Sequence, residues 1–427
     1  MPTVKDHPLR YQLSNELHAR PFPSVGAGSR AVFLALKHAE GDVQNAADAD
    51  LVHLIQLLDR YGTAHPQPGA THFSGPIGRH NLKWERHTEF VTYTLMMDGL
   101  GERPFDPMDF DVFPSDWLEA AQGTRMVSAM LRVEPSQSDT EAGDKLEDWF
   151  VRESLAASAV LDGAAIVASD FHIDPAGHSR FAVFAREGVG QGRLGRIVQR
   201  LFEIETYKSM SMLGFAQTRE IGPQMGALDS GLTTLMGSMQ VGGEAAERQL
   251  DELLRISTDL EALQAQTEFR FGATGAYEAI VNQRIATLRE LPFEGRQTLT
   301  EFMMRRFDPA MRTVKSSQTR LSRMSERAVR ASQLLRTRVD VDRSAQNQKL
   351  LESMDRRADM QFRLQETVEG LSVVAISYYA VSLASYLIYP LTGVTGTSKG
   401  ILTALVTLPV VLIVWLSVRR LRKKTHG

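Results

Sequence analysis

The apolar residues follow one period in the first part of the chain and another in the second. Between residues 30 and 185 they fall in short alternating or continuous runs, at 32–36, 73–77, 82–86, 89–96, 126–133, 164–173 and 181–185, and each run predicts a strand. The run Phe90-Val91-Thr92-Tyr93-Thr94-Leu95 is rich in β-branched and aromatic residues, and with its two predecessors predicts an antiparallel meander. Asp174-Pro175-Ala176-Gly177 suits the turn between the last two strands. Leu51, Leu54, Ile55 and Leu58 keep helical spacing across 43–61 until Gly62 stops it, and 117–121 suits a short helix. Pro8, Pro21 and Pro23 make 7–24 a loop segment, and the polar stretch 136–144 reads as a mobile loop.

From Arg193 onward the period is helical. Leu194, Ile197, Val198, Leu201 and Ile204 line one face, and further helices are predicted over 250–263 and 277–288. A last helix begins after Pro292 or Pro309 and meets no other proline before Pro390. Continuous from Ala310 to Tyr389, it would be about 120 Å long at 1.5 Å per residue. Its apolar positions Leu321, Met324, Ala328, Leu335, Val339, Leu350 and Met354 recur at intervals near three and four, as in a helix that packs sideways against other long helices.

Two apolar stretches close the chain. Residues 371–391 and 401–418 carry no charged side chain and come near the roughly 20 residues that a helix needs to cross a bilayer. With only 392–400 between them, they predict a tight transmembrane hairpin. Arg419, Arg420, Arg422, Lys423 and Lys424 follow it and Arg356, Arg357 and Arg363 precede it, while the turn holds a single Lys399. Both termini are therefore expected in the cytoplasm. The fold class is an α+β cytoplasmic domain plus long stalk helices and a two-helix transmembrane hairpin. The expected parts are a domain at 1–190, helices packing on the stalk at 191–309, the stalk at 310–370, spans at 371–391 and 401–418 around an outer loop at 392–400, and a basic tail at 419–427.

Composition narrows the function. With 427 residues and 43% hydrophobic side chains, the chain can bury a sizeable core besides the hairpin. A net charge of −3 gives no reason to expect nucleic acid as a partner. The absence of cysteine excludes disulfides, iron–sulfur clusters, thiolate zinc sites and a cysteine nucleophile. The first residues hold no apolar segment of signal-peptide type, so insertion is expected to be directed by the C-terminal hairpin. No Ser–His–Asp order or paired-carboxylate spacing stands out, and an enzyme is not expected. Gly188 to Gly195 lacks both the dinucleotide-binding register and a Walker lysine, and reads as a loop entering a helix.

The candidate chemistry lies in three places. On a helical wheel, Ser372, Tyr378, Tyr379, Ser382, Ser385, Tyr386 and Tyr389 share an arc of about 140°, with Ser377 as an exception. The stripe continues upstream through Val368, Leu364, Gln361 and Arg357. Such a face suits either the lumen of an oligomeric pore or hydroxyl-rich packing between helices. Asp98, Glu102, Asp106, Asp109, Asp111 and Asp116 form an acidic run whose carboxylates could bind a regulatory divalent cation, or could simply be a solvated loop. Glu16 and His18, with His7 nearby, could form a mixed oxygen–nitrogen metal site; ordinary hydrogen bonds within a loop are the other reading.

The layout of these parts resembles the CorA-type magnesium transporters and their zinc-transporting relatives, from about Arg193 to the end. The segments 7–10, 15–23, 200–207 and 366–379, which include Asn15-Glu16-Leu17-His18-Ala19-Arg20-Pro21-Phe22-Pro23 and Arg200-Leu201-Phe202-Glu203-Ile204-Glu205-Thr206-Tyr207, resemble a family of bacterial membrane-anchored proteins of unknown function over nearly the whole chain. The first resemblance implies a homo-oligomer, a pentamer, that passes an ion, with the lipid bilayer as its other partner. The second implies the bacterial inner membrane. The CorA-type Gly-Met-Asn filter has no counterpart, since the corresponding place reads Tyr386-Leu387-Ile388-Tyr389-Pro390-Leu391-Thr392-Gly393. The expected function is an oligomeric channel or transporter, for a cation of unassigned identity. The competing expectation is a membrane-anchored scaffold or sensor whose work lies around Glu16, His18 and Arg20.

Overall fold

Strand β1 (Ser29–Lys37) carries apolar side chains at consecutive positions, so it needs cover on both faces. The computed structural model describes residues 4–11, 13–14, 22–39, 43–241, 246–388 and 398–425. In it, β1 is the fourth strand, interior on both sides, of a nine-stranded sheet ordered β2 (His72–Ile77), β3 (His80–Arg86), β4 (Phe90–Asp98), β1, β5 (Thr124–Pro135), β8 (Ser179–Ala185), β7 (Ala165–Ser169), β6 (Ala156–Val160) and β9 (Leu291–Pro292). Every neighbouring pair is antiparallel except β5 and β8. The predicted meander is β2–β3–β4.

The helices are α1 (Val43–Arg60), α2 (Ser115–Glu119), α3 (Asp139–Trp149), α4 (Gln191–Val241), α5 (Ala246–Leu288), α6 (Leu299–Ile388) and α7 (Lys399–Thr425). Ala31, Phe33 and Ala35 of β1 face a core built with Leu194, Ile197 and Leu201 of α4, Val281 of α5 and Met303 of α6. Val32, Leu34 and Leu36 point the other way, toward Leu54 and Leu58 of α1, Trp117 of α2 and Leu146 of α3. The sheet is thus the middle layer of three. The chain divides into two compact units, Met1–Glu244 with Asp251–Ala331, and Ala245–Leu250 with Ser332–Gly427.

Three sequence expectations need correction, and one strand lies where none is expected. Of residues 136–144 only 136–138 are a loop: Ser138 Oγ accepts a hydrogen bond from the Glu141 amide at 3.1 Å and caps α3, which starts at Asp139 and buries Ala142 and Leu146. The Ser-x-x-Glu spacing was the available signal. The strand expected over 164–173 ends at Ser169, because Asp170 turns inward and Phe171 takes a positive φ of 53°. Strand β6, with its small residues, went unnoticed between α3 and β7. Finally, the helices expected over 250–263 and 277–288 are one, α5, of 43 residues, whereas α6 starts at Leu299, after Pro292 as one of the two alternatives has it, and runs on through Pro309. Burial of Phe307, Ala310 and Met311 around Pro309 offsets the roughly 3 kcal/mol that an interior proline costs.

Helices α4 and α5 meet closely at Gly214, where any Cβ would collide with the Thr274 side chain. On the opposite face of the sheet, His53 is buried, stacked on Trp117 with ring centroids 3.9 Å apart. Its Nε2 lies 2.9 Å from the Trp117 carbonyl oxygen and must donate, so Nδ1 accepts from the Tyr93 hydroxyl at 2.9 Å. Burial holds the imidazole below its ordinary value of 6.5, although the Trp117 carbonyl and Asp50 pull the other way.

Two outcomes follow for stability. Gly214→Ala lowers unfolding free energy by about 1–3 kcal/mol, and Thr274→Ala in the same chain recovers part of the loss, as denaturant titration of the single and double variants will show. His53 binds a proton less readily folded than unfolded, so its contribution is complete above about pH 6.5 and is lost as pH falls below it. The melting midpoint therefore drops from pH 7 to pH 5, and the drop is smaller in His53→Gln, which keeps a donor and an acceptor but does not titrate.

Candidate functional site

The helix-covered face of the sheet extends past its helices at β3 and β4, and a cavity of about 240 Å³ opens there. Register sets its floor: Lys83 pairs with Thr94, which pairs with Phe33, and Glu85 pairs with Thr92. Strand alternation puts all of these on one face. Helix α4 supplies Gln199, Phe202, Glu203 and Thr206 at i, i+3, i+4 and i+7, which is one helical stripe. Arg284 closes the wall from α5, and Phe22 and Pro23 cover the top.

The cavity is densely polar, buried at Lys83 and half-open at Glu203 and Arg284. Lys83 is buried, and its Nζ lies 3.0 Å from Glu85 Oε2 and donates to Gln199 Oε1 at 2.9 Å. Gln199 Nε2 donates to Glu203 Oε1 at 2.7 Å, and Arg284 Nε donates to Glu203 Oε2. Two positive and two negative groups are thereby balanced. Phe33 and Phe202 stack at 4.7 Å and form the apolar side. Beside it, Glu89 accepts from Arg270 at 2.6 Å and from the Tyr277 hydroxyl at 2.7 Å, tying α5 to the β3–β4 turn. Burial first, and the Glu89 carboxylate second, push the Tyr277 phenol well above its ordinary value.

The cover is anchored from the sequence upward. Pro23 carbonyl oxygen rests against Gly195 in the first turns of α4, where no Cβ would fit. Ser24 Oγ donates to Gln191 Oε1 at 2.9 Å, and the Val25 amide donates to the Gln191 carbonyl at 3.2 Å.

The sequence-derived candidates are distributed differently. Gln361, Leu364, Val368, Ser372, Tyr379 and Tyr386 are exposed in the second unit, Tyr386 at 80%, while Ser382 is half-buried. Ser372 Oγ donates to the Val368 carbonyl at 2.8 Å. Shielding falls instead on Val373, Ser377, Val381, Ala384 and Ile388 of α6, and on Thr403, Val406, Val410 and Val414 of α7, at helical spacing. Ser377, the exception on the wheel, is buried, and Tyr389 lies outside the described residues.

The acidic run does not converge. Asp98, Glu102 and Asp111 are exposed; Asp106 caps the 3-10 turn Pro107–Val112 by accepting from the Met108 amide at 3.1 Å. Asp109 accepts from Arg30 Nε at 2.8 Å, and Asp116 forms a two-pronged pair with Arg60 at 2.7 and 2.6 Å. Glu16, His18 and Arg20 lie outside the described residues, and His7 Nδ1 accepts from the Leu9 amide at 3.2 Å. Among the described residues, no three His, Asp or Glu side chains gather as a metal site requires.

Sequence reasoning missed the cavity because its charged residues sit on three separate elements. Lys83 and Glu85 alternate within a strand, and Gln199 and Glu203 are one turn apart on α4; only the sheet register joins them. Two segments that carried the family resemblance, Phe22-Pro23 and 200–207, meet at this cavity. No curated protein and no solved structure matches the chain. A family profile described as a protein of unknown function, DUF3422, matches residues 5–425. The chain therefore belongs to the DUF3422 family.

Proposed function

We propose that the protein is a homo-oligomer of the bacterial inner membrane that passes a cation along an axis lined by α6, with both termini in the cytoplasm. The observation that carries this reading is a seam that none of the described residues covers. From Asp340 to Ser372, α6 is exposed all round apart from a partly shielded Glu369. Yet Leu350, Met354, Leu364, Val368 and Leu371 fall on the seven-residue spacing of a coiled-coil contact, whose other positions in this stretch are Arg357 and Gln361. Leu364 is 66% exposed in the single chain. An isolated helix gains most of its stability by burying such a face, and further copies of the same helix offer the matching spacing.

The apolar stretch at the end of α6 and the Lys399–Arg420 stretch of α7 are each long and apolar enough to cross a membrane. Basic residues flank the pair on the side of both chain ends, which favours a cytoplasmic placement of those ends. Ser372, Tyr379 and Tyr386 continue past the seam at seven-residue spacing and are not shielded within the chain. Hydroxyls on such a face suit a hydrated path. The element order, a mixed sheet domain followed by two long helices, a third that enters the first apolar stretch, and a basic tail, supports the same reading.

A second reading, a membrane-anchored sensor, is favoured by the covered polar cavity of the first unit. It places the activity in that unit and leaves the spans as an anchor.

Light scattering on the detergent-solubilised full chain decides between them in part: the account expects a complex of several copies. Each Leu364 side chain buried between copies contributes about 1.5–3 kcal/mol, so Leu364→Glu yields the monomer. In proteoliposomes the native chain supports cation flux, and Tyr386→Ala and Ser382→Leu change it. A monomer, or vesicles that pass no cation, would contradict the proposal.

A further inference from the structure

The geometry points to the cavity of the first unit as a binding site for a free aromatic α-amino acid, held as the zwitterion. This goes beyond conduction and stands whether or not the spans conduct. The volume of about 240 Å³ lies below the roughly 300 Å³ at which drug-sized pockets begin, so the occupant is a small metabolite. Lys83 and Arg284 balance Glu85 and Glu203. A ligand with net charge would add an uncompensated charge beside Lys83 and Glu85, whose side chains are only 8% and 13% exposed, whereas a neutral or zwitterionic one leaves the balance intact.

Unused bonding capacity identifies the two ends. Lys83 has three N–H groups and spends two, on Glu85 and Gln199. Arg284 spends only Nε, on Glu203, which leaves the planar fork of its terminal nitrogens for a carboxylate. Each oxygen of Glu203 accepts one hydrogen bond and has a further lone pair for an ammonium group, as does Glu85. The Phe33–Phe202 stack, with Phe90 beside it, offers aromatic faces and edges to a ring. A carboxylate, an ammonium group and an aromatic ring on one small skeleton describe an aromatic amino acid.

Entry is controlled by Phe22 and Pro23, whose seat is Gly195. A side chain at 195 would lift Pro23 and uncover the site.

Isothermal titration calorimetry of the full chain in detergent micelles, with L-phenylalanine and L-tyrosine as probes, tests this. Saturable binding is expected, with phenethylamine and 3-phenylpropanoate, which each lack one charged group, weaker by about tenfold or more. Glu203→Gln weakens L-phenylalanine by a similar factor and affects 3-phenylpropanoate less; Gly195→Ala weakens all of the probes. If Glu203→Gln fails to fold by circular dichroism, the comparison of the three ligands on the native chain still decides. No saturable binding of either amino acid, or equal binding of the zwitterion and its two truncated forms, overturns the proposal. Binding without cation flux leaves this site in place and removes only the conduction reading.

Discussion

Cover for helix α6 stops at Val339 and, Glu369 apart, resumes only at Val373, while between them apolar side chains recur at Leu350, Met354, Leu364, Val368 and Leu371. The proposed account of the second unit depends on that mismatch. Apolar side chains held at regular spacing on a long exposed helix need a partner, because neither propensity nor isolated charge pairs stabilise a helix in water as packing does. Lipid cannot serve this stretch, since Arg356, Arg357 and Arg363 lie within it. Copies of the same helix can, and association through this seam would bring Ser372, Tyr379 and Tyr386 toward one axis.

The first unit obeys a different constraint. A sheet apolar on both faces must be sandwiched, and α1, α2 and α3 cover one face while α4, α5 and α6 cover the other. The second cover is incomplete at β3 and β4. There the strand positions carry Lys83, Glu85, Thr92 and Thr94 instead of aliphatic residues, and the gap becomes a polar cavity capped by Phe22 and Pro23. The same shortfall of helix that leaves the sheet edge uncovered therefore creates the place where a ligand would sit.

Much of this was legible in the residues. Strands with strong β-branched or aromatic content, such as β4, are legible to within a residue or two, and the length of α6 follows from the absence of prolines able to stop it. The elements that escaped were those whose local signal is weak: β6 is made of alanine, serine and valine, and α3 is mostly polar with a capping serine as its main mark. The apolar part of α6 divides into hydroxyl and aliphatic faces only in part. Ser377 and Ser385 are shielded with Val373 and Val381, whereas Tyr379 and Tyr386 are not. The cavity was illegible for a plainer reason. Lys83 and Glu203 are far apart in sequence, and only the pairing of β3 with β4 and the packing of α4 bring their surroundings together.

Because the chain has no native cysteine, single cysteines can map the seam directly. Oxidative cross-linking of Leu364→Cys in native membranes, with the exposed Leu254→Cys of α5 as control, tests the central claim. The account predicts covalent dimers at 364 and none at 254, since only seam positions approach within the roughly 7 Å between Cα atoms that a disulfide allows. Equal yields at the two positions, or no dimer at 364, would contradict it.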